Sequence, residues 1–272
     1  MNLIKQLFGF YINSSIHVAL SVYAMTWITL FELGLNYDES VLYFVFYATI
    51  TGYNFVKYFG IAKFRHKALA KGLKLIQFLS FLSFILLCYY GYKLEFRTLV
   101  FLVGLGLLTF LYAIPFSIKK QLTLRNVSQL KIYIIALVWT GVTVFVPILN
   151  YNLCLNNDMI LLGLQRFVFV IVLMFPFEIR DLKYDHLSLS TIPQRIGVKR
   201  TKVLGAILML LFFIVEFLKD NINILDIAIL SVITLITILL LVLSQITQRK
   251  YYSSFFVESI PIVWLLLILI LS

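Results

Sequence analysis

Glu178, Asp181 and Asp185 fall at positions i, i+3 and i+7. On a helix, that spacing puts three carboxylates on one face. Like charges so placed repel by about a few tenths of a kcal/mol per pair unless a cation neutralises them. A hard divalent cation bound through oxygen is the usual neutraliser, and magnesium commonly brings phosphate groups with it. Arg180 and Lys183, interleaved with the carboxylates, suit such phosphates. The same residues also read as a mixed-charge, solvated helix end, which is the commoner meaning of a charge run. Spacing alone leaves both readings open. The stretch is chemically dense: three of the twelve acidic residues lie within 178–185, and six of the twenty-three basic residues within 178–202.

The elements that must position these groups are apolar. Hydrophobic residues make up 62% of the chain and charged residues 13%, against roughly 45–50% and 25% for a soluble domain. This composition predicts an all-α, polytopic membrane protein built as one domain over residues 1–272. Nine apolar segments can be drawn, at about 10–33, 41–60, 73–92, 98–116, 131–149, 159–177, 203–218, 224–244 and 253–271. Most approach the roughly 20 residues that a 30 Å hydrocarbon core requires. The ten-residue alternation of a β-barrel is missing. The N-terminal stretch reads as the first spanning helix rather than a cleaved signal, because it has one lysine and no small-residue cleavage site.

Loop charge sets the orientation. Eighteen basic residues fall in the N-terminal stretch and the loops after segments two, four, six and eight, while the opposite loops hold only Lys93, Arg97 and Lys219. The positive-inside rule therefore predicts a cytoplasmic N-terminus, an external C-terminus and a carboxylate face at the cytoplasmic mouth of segment six, as in a bacterial inner membrane. The net charge of +11 fits basic cytoplasmic loops and anionic headgroups rather than nucleic acid.

Few charges lie inside the segments. Lys57 ends segment two, Arg166 is deep in segment six, and Glu258 is just inside segment nine. Intramembrane charge marks function by default, although Lys57 could equally snorkel to a headgroup. Arg166 is expected to pair within the bundle, and His17 and Glu32 to be structural. Cys88 and Trp139 read as packing residues, and Pro115 and Pro176 as helix stops. The three histidines are too scattered for a metal cluster. No phosphate-binding glycine loop, Ser/His/Asp set or HExxH motif occurs.

At Glu178-Ile-Arg-Asp181-Leu-Lys-Tyr-Asp185, followed by Thr191-Ile-Pro-Gln-Arg-Ile-Gly197, the chain resembles the UbiA superfamily of intramembrane prenyltransferases, whose second aspartate-rich motif has this form. Tyr112-Ala-Ile-Pro115, with Lys119, Lys120, Lys131 and Trp139 after it, is similar to that family's Tyr-Ser-x-Pro loop and fifth helix. The resemblance implies a nine-helix bundle around a central cavity open toward lipid. It implies magnesium, an isoprenyl diphosphate donor and a hydrophobic acceptor, aromatic or from another lipid pathway, as in quinone or related prenyl-lipid biosynthesis. It makes Glu178, Asp181 and Asp185 metal ligands, with Asp181 and Asp185 catalytic; Lys57 joins them as a catalytic candidate from its own position at the end of segment two. Asn54, Tyr112, Lys119, Lys131 and Arg180 become substrate-binding residues.

One departure stands out. Where the family's first acidic motif should end helix two, Asn54 remains but the acidic positions hold Phe55, Tyr58 and Ala62. One metal site of two is therefore in question, and Lys57 could supply positive charge in its place. A non-catalytic relative that binds a prenyl lipid or supports a partner enzyme is the alternative. A transporter is a third reading, but paired interrupted helices in corresponding halves are missing.

Overall fold

A computed structural model describes residues 3–58, 70–114, 130–185, 189–220 and 222–271. All regular elements among these residues are helical. In chain order they are α1 (Leu3–Asn13), α2 (Ile16–Glu32), α3 (Glu39–Tyr58), α4 (Ala70–Gly91), α5 (Phe96–Ala113), α6 (Leu130–Thr140), α7 (Val146–Asn150), α8 (Asn157–Asp181), α9 (Ile192–Val215), α10 (Ile224–Leu243) and α11 (Ile260–Leu271). A π-helical turn at Gly141–Phe145 joins α6 to α7, and another at Tyr252–Val257 precedes α11. Each of the nine apolar segments is thus helical over most of its described residues.

Among the described residues, seven helical stretches are long and apolar enough to cross a membrane, and an eighth forms if α1 and α2, bent by 53° at their break, count together. The chain is an integral membrane protein. α3 falls outside this set: it begins with Glu39, ends near Lys57 and carries Thr49, Thr51, Gly52 and Asn54 between them.

α8 is the central helix. Fifteen of its residues are buried, and it packs on α6, α9 and α10. α4 and α5 turn outward, exposing Phe78, Phe81, Phe84, Val103 and Leu107. Such faces suit lipid tails, which are as apolar as the side chains themselves. Cys88 lies on this exposed surface rather than in packing, because apolar sequence does not separate a lipid face from a core face. Pro176 does not stop its helix either. α8 runs on to Asp181, since proline's fixed φ is helical and its missing N–H forfeits one bond. Pro115 lies outside the described residues.

Two local devices shape the elements around the carboxylate end of α8. The α1–α2 break falls at Ser14 and Ser15, where Ser15 has φ 65°, and α3 closes it. Asn54 donates to Ser14 O at 3.0 Å and accepts from Ser15 Oγ at 2.9 Å. At the start of α9, Gln194 reaches back to accept from the Thr191 N–H at 2.9 Å, the reciprocal half of a capping box. Pro193 sits in the first turn, where its missing N–H costs nothing. Gly197, at φ 79° inside α9, lets the helix kink. Further along, α9 meets α8 and α10 closely at Gly205, where a Cβ would collide with Leu241 and lie 2.9 Å from Phe175 Cδ2.

Candidate functional site

The one-face spacing of the carboxylates is realised. Glu178 lies in the last turn of α8 and Asp181 closes the helix. The chain then makes one further helical turn, with the Asp185 N–H donating to Asp181 O at 2.8 Å. The three side chains converge on a cation from the facing helix. Lys131, in the first turn of α6, places Nζ 2.8 Å from Glu178 Oε1 and 3.8 Å from both Asp181 Oδ2 and Asp185 Oδ2. Glu178 is 2% exposed and Lys131 15%, so this is a shielded ion cluster and not a solvated helix end. Arg180 takes the outer side, donating to Asp181 Oδ1 at 2.8 Å with its guanidinium over the Phe177 ring. Lys183 lies over the exposed ring of Tyr184 instead.

Three carboxylates face two cations here. Asp185 Oδ2 is buried and accepts no hydrogen bond from the described residues. Hard oxygen donors and an unsatisfied buried carboxylate oxygen are the right chemistry for magnesium. The described residues nonetheless include no group of three or more His, Cys, Asp or Glu disposed to hold a metal ion. The point of convergence belongs to the Lys131 ammonium.

A second wall comes from α3. Lys57 Nζ donates to Ser15 Oγ at 3.0 Å, so Asn54 and Lys57 both engage the α1–α2 break. Asn54 also donates to Ser80 Oγ at 2.9 Å. Glu258, at the end of the π-helical turn before α11, lies within electrostatic reach of both Lys57 and Arg180. This carboxylate, distant in sequence, links the α3 wall to the α8 wall. Sequence reasoning located Glu258 but gave it no part; a lone acid in an apolar segment was the available signal. Ser21 donates to Glu258 O, and His17 meets Tyr11 Oη at 2.8 Å and Phe255 O at 3.0 Å, which supports its structural reading. Tyr53, also missed, accepts from Trp139 Nε1 at 2.9 Å. Trp139 thus packs and orients a phenol at once. Tyr112 is buried near the end of α5, within electrostatic reach of Tyr53.

The positions of the missing first-motif acids have other work. Phe55 stacks on Phe110 with ring centroids 6.2 Å apart, and Tyr58 donates to Asn13 O at 2.8 Å. Ala62 and Lys119 lie outside the described residues.

Toward the other end of α8, about 18 Å away at 1.5 Å per residue, a second charge cluster surrounds Arg166. Its guanidinium donates to Met25 O at 3.0 Å and Thr29 Oγ1 at 3.2 Å and faces Trp264. Next to it, Glu216 accepts from Gln165 at 2.9 Å and pairs with Lys219 at 2.7 Å. Lys219 also stands 3.7 Å from Glu32. Burial disfavours the Lys219 charge, but Glu32 and Glu216 more than offset this and hold its pKa above the ordinary lysine value. A cavity of about 240 Å³ opens here, lined in part by Glu32, Glu216, Lys219, Asp226 and Trp264.

A membrane-embedded helical bundle with a carboxylate cluster at one end of its central helix defines the class of protein. Comparison with solved structures then places the fold. The apo structure of a UbiA homolog from Aeropyrum pernix K1 superposes with a TM-score of 0.67 at 11% identity, covering 94% of this chain and 98% of that one. A structure described as digeranylgeranylglyceryl phosphate synthase superposes with a TM-score of 0.56 at 16% identity, covering 98% of this chain and 96% of that one. The chain has the UbiA fold. No protein-family model and no curated protein matches the sequence.

Proposed function

We propose that this chain is a UbiA-type intramembrane prenyltransferase that transfers an isoprenyl group from an isoprenyl diphosphate to a hydrophobic acceptor, aromatic or otherwise lipid-derived. The observation that carries the reading is the convergence of Glu178, Asp181 and Asp185 on Lys131. The fold supports it. So does the likeness to a synthase of digeranylgeranylglyceryl phosphate, a prenylated lipid.

In this reading Lys131 and Arg180 bind the diphosphate oxygens and hold them as charge develops on the leaving group. Glu178, Asp181 and Asp185 are the residues that would hold magnesium. When bound, magnesium supplies Lewis-acid stabilisation of the departing diphosphate. Lys57, linked to the same region through Glu258, adds positive charge where the first acidic motif is missing, and Asn54 fixes the backbone beside it. Tyr53, Tyr112 and Trp139 give the prenyl chain an aromatic, water-poor surrounding. The proposal includes nine spans in a single domain, a central cavity open to lipid, and the carboxylate end facing the cytoplasm of a bacterial inner membrane, with the C-terminus outside. A reporter active only in the cytoplasm, fused after Ser272, should be silent; strong activity would reverse the orientation.

The test of function is turnover. Purified protein given magnesium, an isoprenyl diphosphate and a set of aromatic and lipid acceptors should release diphosphate and form a prenylated product. Tight diphosphate binding without turnover on any acceptor would instead indicate a prenyl-lipid-binding relative.

A further inference from the structure

The cavity at the Arg166 end of α8 is lined by carboxylates from four elements. Glu32 closes α2, Asp158 lies in the first turn of α8, Glu216 follows α9, and Asp226 lies in the first turn of α10. We propose that this cavity binds a small organic ammonium, a primary amine on a short apolar stem. The inference is independent of the diphosphate reading, which concerns the other end of α8.

Charge and bonding come first. Lys219 is the basic residue of the cavity wall, and even with Arg166 counted beside it, four carboxylates face two cations. Lys219 pairs with Glu216 at 2.7 Å and stands 3.7 Å from Glu32, too far for a hydrogen bond. Glu216 also accepts from Gln165, and Asp158 accepts from the Asp220 N–H at 3.0 Å. Glu32 and Asp226 keep the most capacity. Glu32 Oε2 is buried and accepts no hydrogen bond from the described residues. It also stands at the C-terminus of α2, where the helix dipole is already negative. Asp226 lies within electrostatic reach of Glu216, a like charge, as well as of Lys219. Carboxylates so placed are costly unless a cation bearing N–H donors answers them.

Shape comes second. Much of the remaining wall is apolar, with Leu162, Ile229 and Leu230, and it includes Trp264, whose indole suits an ammonium. The volume of about 240 Å³ is below the roughly 300–1,000 Å³ of pockets for drug-sized ligands, so few atoms fit beyond the ammonium and a short stem. A metal ion is the wrong occupant: the described residues include no group of three or more His, Cys, Asp or Glu disposed to hold one. An anion is repelled by the acidic wall. The headgroup of an amine-bearing lipid and a free amine share the required chemistry.

The experiment titrates butylammonium into the purified full-length protein in detergent, read by ligand-detected magnetic resonance against empty micelles, with butan-1-ol as the neutral probe of similar length. The parent should bind butylammonium saturably and at least about tenfold more tightly than butan-1-ol, the scale of one charge-assisted hydrogen bond. Glu32→Gln keeps the side-chain shape and removes the charge; it should weaken butylammonium about tenfold, and Asp226→Asn several-fold. Mixed micelles then separate the two sources. Displacement of butylammonium by phosphatidylethanolamine but not by phosphatidylcholine, whose headgroup nitrogen has no N–H, assigns the site to a lipid headgroup. Displacement by neither assigns it to a free amine. Equal displacement by both overturns the proposal, because the N–H donors are then not read. Equal affinity of the parent for butylammonium and butan-1-ol overturns it as well, and this arm needs no variant to fold. Parental butylammonium affinity in both Glu32→Gln and Asp226→Asn overturns it too, while leaving the diphosphate reading intact.

Discussion

The charge clusters at the two ends of α8 use the same residue types in opposite ways. Around Arg166 the groups are bound in several directions. The guanidinium holds a backbone carbonyl and a hydroxyl on α2, and Glu216 takes both Gln165 and Lys219. Most of these links tie one helix to another. Around Lys131, one flexible ammonium reaches three carboxylates, two of them at 3.8 Å, beyond hydrogen-bond reach, and Arg180 bonds Asp181 alone. The Arg166 and Glu216 part of the first arrangement is a clamp, because those groups are spent on the fold, although Glu32 Oε2 beside them is buried and accepts no hydrogen bond from the described residues. The second is an under-satisfied cluster whose groups have capacity left for something else. Polar groups inside a membrane bundle are costly either way. What separates structure from function is how fully their bonds are used.

That contrast predicts separable effects on stability and on ligand binding. The largest should come from Arg166→Met, which removes the clamp and leaves buried polar partners unmatched. Stability in detergent should fall by about 3 kcal/mol, in line with removing one partner of a buried charged network. The folded fraction should still bind diphosphate as the parent does. A variant with parental thermal stability would show that the clamp is dispensable. Next, Asp185→Asn should weaken magnesium-dependent diphosphate binding by roughly 10–100-fold, the range seen when groups supporting a metal are lost, with little change in melting temperature. The reverse pattern, lost stability with intact binding, would make the Lys131 cluster a second clamp.

Lys57→Met should lower diphosphate affinity by roughly tenfold, the scale of one charge-assisted hydrogen bond. If affinity is unchanged, Lys57 serves only the α1–α2 break through Ser15. Smallest of all, Gln194→Ala should cost about 1 kcal/mol by opening the start of α9. Because Gln194 also donates to Asp185 O at 3.4 Å, a several-fold loss of binding should accompany it. A binding loss without any stability loss would place Gln194 in the site rather than in its support.

Much of this was legible in the sequence, for stated physical reasons. Segment length against bilayer thickness identified the helices, since the hydrocarbon core fixes how many apolar residues a span needs. It did not reveal that α1 and α2 break at Ser14 and Ser15, because the break is made by Asn54 from another helix. Nor did it reveal which faces meet lipid, as Cys88 shows. Pro176 misled because a proline can sit within a helix when packing holds the turns around it. At the site, the i, i+3, i+7 spacing sufficed to put Glu178, Asp181 and Asp185 on one face. The cation at their centre is a different matter. Lys131 precedes Glu178 by two elements of chain, and only resemblance to a known motif pointed to it. The proximity of Glu258 to Lys57 and Arg180 left no trace in local sequence, since it arises where the last helix packs beside α2. Local spacing encodes one wall of a site, and tertiary packing supplies the other.

The central claim is that the Lys131 end of α8 is a diphosphate site and the Arg166 end is not. The most direct measurement is binding of an isoprenyl diphosphate to the purified protein by calorimetry in detergent, with magnesium and then with chelator, for the parent, Asp181→Asn and Glu216→Gln. The account predicts saturable, magnesium-dependent binding that Asp181→Asn abolishes and Glu216→Gln leaves at the parental level. Binding that is indifferent to magnesium and to Asp181→Asn, or that is lost in Glu216→Gln while that variant remains folded, would contradict it.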